Sequence, residues 1–205
     1  MFAHHISSCL KRRVFTKQPI FNAVICASKR HQTSLTLTQY RLASSVGPSD
    51  VSKLLREAQT VMDQGDTSKA YEKYSAALAL QPTANNYYNV GVCAQILGKV
   101  DEAIDRWENA VAMEPSLAEA HVNLGTAYFV KKRDVAKGLE HMEKALRITP
   151  DDVEIKFNLG AMYDSVGKLE TAKTLLEECV RSNVNNAEVL LRNVNAKIAA
   201  KGLKE

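Results

Sequence analysis

The chain has 205 residues, a formal net charge of +4 and a pI of about 8.8. The excess is local: no Asp or Glu occurs before Asp50, while seven of the 27 Lys and Arg residues lie in that stretch and 20 follow it, so residues 50–205, with all 23 acids, stand at −3. A nucleic-acid reader would show a basic stripe. This body offers only Lys131-Lys132-Arg133, and no apolar run in it approaches the ~18 residues that a membrane-spanning helix needs.

The first segment stands apart. Lys11, Arg12, Arg13, Lys17, Lys29, Arg30 and Arg41 lie among Ser and Thr with no acid, the composition of an organelle transit peptide. Phe2, Ile6, Leu10 and Val14 recur every four residues and predict an amphipathic helix with Lys11 and Lys17 off its apolar line. A secretory signal is disfavoured because no uninterrupted apolar core follows the basic residues. Arg41-Leu42-Ala43-Ser44-Ser45 looks similar to a mitochondrial processing site. Residues 1–47 are therefore expected to be a disordered presequence that directs the chain to mitochondria, to the matrix. A plastid is the other organelle to consider, and a disordered basic tail for acidic surfaces is the plainer alternative.

From Val51 to Val184 one pattern is used four times. Ala58, Gly91, Gly125 and Gly160 form a first column of small residues, and Ala70, Ala103, Gly138 and Ala172 a second. Large apolar residues follow at Tyr74, Trp107, Met142 and Leu176, then Ala77, Ala110, Ala145 and Cys179, with Pro82, Pro115, Pro150 and Val184 closing the units. Successive spacings are 33, 34 or 35 residues, a period that signals stacked helix pairs. Glycine inside a helix costs about 1 kcal/mol against alanine, a cost that is offset if the second helix must pack against it without side-chain clearance. Gly65, Gly98 and Gly167 fall where helix C-caps favour glycine, and the prolines cannot continue a helix. Leu190, Leu191, Val194 and Ile198 predict one more apolar stripe, with Asn193, Asn195, Lys197 and Lys201 off it.

These residues resemble the tetratricopeptide repeat (TPR) family. The likeness is clearest from Tyr87-Tyr88-Asn89-Val90-Gly91 through Gly98-Lys99, Asp101-Glu102-Ala103, Trp107, Ala110 and Pro115. Asn123-Leu124-Gly125-Thr126-Ala127-Tyr128 and Asn158-Leu159-Gly160-Ala161-Met162-Tyr163 repeat its first helix. The resemblance implies an all-α fold: a right-handed α-solenoid of four helix-turn-helix TPR units, at about 51–83, 84–117, 118–152 and 153–185, with a capping helix over 186–201. The first unit departs at Glu57-Ala58, the third has one extra residue around Lys131–Asp134, and the fourth lacks the closing proline.

The family binds other proteins along the concave surface lined by successive first helices. In the glycine register that surface is expected to expose Leu55, Gln59 and Met62; Tyr88, Val92 and Ile96; Val122, Thr126 and Phe129; and Phe157, Ala161 and Asp164, with Asn89, Asn123 and Asn158 beside them. The candidate partner-binding residues are Leu55, Tyr88, Asn89, Val92, Ile96, Val122, Asn123, Phe129, Phe157 and Asn158. An apolar, aromatic groove with interspersed amides suits an amphipathic helix or an extended hydrophobic segment, anchored by side chains while Asn pairs with backbone groups. The alternative is that Tyr88 and Phe157 are partly core and that Asn recurs through duplication alone.

Family members that clamp the carboxylate tails of chaperones need Lys and Arg on neighbouring first helices. Leu55, Gln59, Glu119 and Asn123 stand there instead, and Glu119 and Glu154 would repel a carboxylate, so that clamp is not expected. Cys93, Cys179 and Trp107 are expected to be core, and His121 and His141 lie on ordinary helical columns. No Cys-x-x-Cys or His-x-x-x-His pairing exists, and there is no phosphate-cradling glycine loop or nucleophile motif. The expectation is no enzyme, no cofactor, no metal and no nucleic acid. What remains is a soluble mitochondrial adaptor or assembly factor for a protein partner. The alternatives are an RNA-associated helical-repeat factor of organellar gene expression and a plastid-targeted TPR assembly factor.

Overall fold

A computed structural model describes residues 48–203, and the presequence expected over residues 1–47 lies outside them. Nine α-helices follow one another among the described residues: α1 (Pro48–Asp63), α2 (Thr67–Leu80), α3 (Ala84–Ile96), α4 (Val100–Met113), α5 (Ala118–Thr126), α6 (Val135–Ile148), α7 (Val153–Ser165), α8 (Leu169–Arg181) and α9 (Ala187–Gly202). They form the expected all-α solenoid. Within units α3 packs on α4, α5 on α6 and α7 on α8; between units α2 packs on α3, α4 on α5 and α6 on α7; α9 closes on α8.

Local chemistry sets the breaks. Gly65, Gly98 and Gly167 take φ of +85°, +78° and +79° between first and second helices, the left-handed conformation that glycine adopts without strain. Asp66, Thr83, Asp134 and Asp152 accept hydrogen bonds from the first-turn amides of α2, α3, α6 and α7, which satisfies donors that a helix start leaves open. α2, α4 and α6 stop just before Pro82, Pro115 and Pro150. At the end of the fourth unit Asn183 and Asn186, with φ of +55° and +66°, turn the chain instead.

The third unit absorbs its extra residue in a π-helical turn, Ala127–Lys132, that continues α5. The Asp134 amide reaches back to the Tyr128 carbonyl at 2.9 Å, and Arg133 takes φ +56° in place of the glycine used elsewhere. Such single turns are how a helix accommodates an inserted residue. The turn brings the Phe129 backbone against α6, and a Cβ on Gly138 would lie 2.7 Å from Phe129 Cβ and 3.0 Å from the Gly125 carbonyl oxygen. Close approach therefore requires glycine on both helices here.

The core is the stack of repeat columns. Ala58, Tyr74, Trp107, Met142 and Leu176 are buried. Each cluster mixes helices from neighbouring units: Ala70 and Tyr74 with Val90 and Cys93, then Ala103 and Trp107 with Leu124 and Tyr128. Val194 of α9 is fully buried, and Leu190, Leu191 and Ile198 pack beside it. Its outer face carries the exposed Val189 as well as polar residues. Among the described residues, no helix is long and apolar enough to cross a membrane.

Candidate binding groove

The first helices α1, α3, α5 and α7 each present one apolar side chain three residues before the packing position: Leu55, Tyr88, Val122 and Phe157. All four are half-buried and lean on core clusters. Tyr88 is held from below, because Trp107 Nε1 donates to its carbonyl oxygen at 3.3 Å. Ile96, near the end of α3, is 48% exposed. Asn89 and Asn158 are half-buried, and neither side chain has a hydrogen bond within the described residues.

Other expected members belong to the core. Val92 is 7% exposed and packs with Leu124, Ala127 and Tyr128 of the next unit, and Asn123 is 6% exposed. Neither presents an open surface as expected; for Val92 the reason is that the following unit stacks on the side of the helix that the glycine register left outward. Asn123 Nδ2, a donor, and Gln95 Oε1, an acceptor, are nonetheless buried without a partner among the described residues. Phe129 is half-buried and held against the α6 backbone by the π-helical turn. Gln59 is occupied by Tyr74 Oη at 2.9 Å and by Asp63. Ala161 is buried, and Asp164, also buried, accepts from Lys197 Nζ of α9 at 2.7 and 2.8 Å. What remains is an apolar column of four side chains with amides beside it, ended by the Asp164–Lys197 pair.

Sequence reasoning missed three polar arrangements. Tyr128 donates to Glu108 and Tyr163 to Glu143, tying units together. Their signal was legible: Tyr stands three residues after Gly125 and Gly160, and Glu directly follows Trp107 and Met142. Burial first, and the Glu143 carboxylate second, push the Tyr163 hydroxyl up to about 12. His121 and His141 meet at 3.0 Å, and Lys197 reaches Asp164; neither contact had a sequence signal.

Reactive chemistry is muted. Burial pushes the Cys93 thiol up to about 12, so it stays protonated and inert. Among the described residues no three His, Cys, Asp or Glu side chains cluster as metal ligands would. Of the basic trio, Lys132 is paired with Asp101.

Helix pairs stacked in register, with a column of half-buried apolar groups along the first helices, define a repeat solenoid. Family models agree: "Tetratricopeptide repeat" matches residues 55–105, 118–152 and 153–186, and "TPR repeat" matches 96–131. The chain therefore carries tetratricopeptide repeats. It is 27% identical over 161 residues to the BBSome complex member BBS4 of Bos taurus, covering 78% of this chain and 30% of that protein. It is 33% identical over 91 residues to the tetratricopeptide repeat and J domain-containing co-chaperone DNJ1 of Fusarium oxysporum f. sp. lycopersici, covering 40% and 17%. The chain thus spans about a third or less of these relatives. Among solved structures, YrrB, a TPR protein with an unusual peptide-binding site, superposes with TM-score 0.64 at 20% identity over 78% of this chain and 84% of its own. MamA superposes with TM-score 0.61 at 24% identity, over 73% and 87%. Both show the fold.

Proposed function

We propose that this chain is a protein-binding adaptor or assembly factor whose first helices hold a hydrophobic or amphipathic segment of a partner protein. The observation that carries this reading is the column Leu55, Tyr88, Val122 and Phe157, one side chain per unit in the same register. Asn89 and Asn158, half-buried beside the column, suit the C=O and N–H of a bound backbone. Side-chain anchors with backbone pairing are a recurring mode of peptide recognition. The peptide-binding site of YrrB and the co-chaperone DNJ1 are precedents on related repeats.

The site of action in this reading is the mitochondrial matrix, because residues 1–47 hold seven basic residues and no acid. A reporter fused to residues 1–47 should be imported into mitochondria, and one left in the cytosol removes this part. Partner binding is tested with a photocrosslinking amino acid at position 88 or 122, against position 173 on α8, in isolated mitochondria. The groove positions should capture one protein, through a segment rich in apolar residues. Equal capture from position 173, or capture of RNA, defeats the groove reading.

A further inference from the structure

His121 of α5 and His141 of α6 are both engaged. His121 Nε2 lies 3.2 Å from the Pro115 carbonyl oxygen, and the two Nδ1 atoms are 3.0 Å apart. A carbonyl only accepts, so His121 carries its proton on Nε2, and its Nδ1 is a bare acceptor. His141 Nδ1 must then donate, which leaves its own Nε2 without a proton. With both rings neutral, one arrangement of protons thus satisfies both contacts. His121 is buried, His141 is half-buried, and the His141 ring stacks on Tyr128 at 5.8 Å with planes 8° apart.

We propose that this pair is an acid-sensitive latch that ties α5, α6 and the Pro115 loop together at neutral pH and releases them on acidification. A first proton from solvent can only go to His141 Nε2, which keeps the Nδ1–H···Nδ1 bond but places charge in a desolvated site. A second must go to His121 Nδ1, the accepting atom. The rings would then face each other N–H to N–H and must part. α5 also carries Val122 and Asn123, so the latch fixes a helix of the candidate groove.

The surroundings offer little to hold a charged ring. Around the pair stand Lys144, Arg147 and Glu140 from α6 and Glu108 from α4, with Lys137 over the Tyr128 ring. Glu140 is engaged by Lys144 at 2.7 Å, and Glu108 accepts from Tyr128. Desolvation first, and the neighbouring His121 second, push His141 down to about 4; burial also lowers His121. Folded values thus lie below the ordinary histidine value of about 6.5. The latch's contribution is fully present above that value and is lost as pH falls toward about 4, because the open form binds more protons across that window. The Glu140 carboxyl is held below its ordinary 4.5 by Lys144.

The test is amide hydrogen exchange on the full chain at pH 7 and pH 5. Protection factors in α5 and α6 should fall at least ~10-fold, since opening takes up protons, while those in α7 and α8 hold. The double variant His121→Gln/His141→Phe, which cannot titrate here, should lose this difference. If that variant does not fold, nitrogen-resolved NMR of the wild-type imidazoles decides alone: His121 should be the Nε2–H form, His141 the Nδ1–H form, and both should titrate well below the ordinary value. Opposite tautomers, a ring titrating near 6.5, or an equal loss of protection in α7 and α8 overturns the latch.

Discussion

Tyr128 of the third unit donates its hydroxyl hydrogen to Glu108 of the second, and Tyr163 of the fourth repeats the contact to Glu143 of the third at 2.7 Å; each pair spans 20 residues. The first junction is tied differently, by Tyr71 of the first unit donating to Glu102 of the second. Ala94 stands where the tyrosine would be and Ser75 where the glutamate would be, and Ser75 Oγ is left without a partner among the described residues. A hydrogen bond to a charged acceptor contributes about 1.5–3 kcal/mol, less where the acceptor meets water. Tyr163→Phe is therefore expected to lower stability by about 1 kcal/mol, read as a shift in urea midpoint at constant slope. An unchanged midpoint would mean that shape, not the staple, joins the last two units.

Gly91 and Trp107 give the sharpest packing test. A Cβ on Gly91 would lie 2.5 Å from Trp107 Nε1 and 2.7 Å from Cδ1. Gly91→Leu should overpack the second unit by about 1–3 kcal/mol or more, and Trp107→Ala should cost about 3–5 kcal/mol through its cavity. The two changes share one space, so their double variant should lose less than the sum. Additive losses in thermal unfolding would show that the two residues do not oppose each other.

That pair also shows why the fold was legible. A column of glycine and alanine recurring every 33–35 residues has one physical cause, backbone approach that any larger side chain blocks, so the pattern reports the packing directly. The extra residue of the third unit was countable, but its placement in a π-helical turn was not, because the choice depends on keeping Gly125 and Tyr128 in register with the neighbouring unit. The groove was only partly legible. Val92 is covered by the stacking of the next unit, a tertiary effect that one helix's periodicity does not carry. The His121–His141 contact likewise arises between helices and leaves no mark on either.

The Asp164–Lys197 pair tests how α9 closes the stack. The Asp164 side chain is only 8% exposed, whereas that of Lys197 is 51% exposed. Lys197→Ala would strand a buried carboxylate, which costs about 1–3 kcal/mol; Lys197→Arg should keep most of the stability. Adding Asp164→Asn to Lys197→Ala should recover part of the loss, because the stranded charge is then gone. A Lys197→Ala variant as stable as wild type would show that α9 is held by Val194 and its apolar neighbours alone.

Binding and stability should separate along the groove. Tyr88→Ala and Phe157→Ala are expected to weaken partner binding by about 2 kcal/mol each, the size of an interface hot spot, while lowering stability less than Trp107→Ala, because both rings are only half-buried. Phe129→Ala and Val92→Ala should behave the other way. Phe129 is pressed against the Gly138 backbone and Val92 sits in a core cluster, so their loss should lower the unfolding midpoint without selectively reducing affinity. The measurement is calorimetric titration of each variant with the segment identified by crosslinking, alongside thermal unfolding. Salt should change the affinity little, because the column is apolar. Steep salt dependence with Lys131, Lys132 and Arg133 dominant would instead fit counterion release by a nucleic acid. Full affinity in the Tyr88→Ala/Phe157→Ala double variant, with its fold intact, would move the binding surface elsewhere on the solenoid.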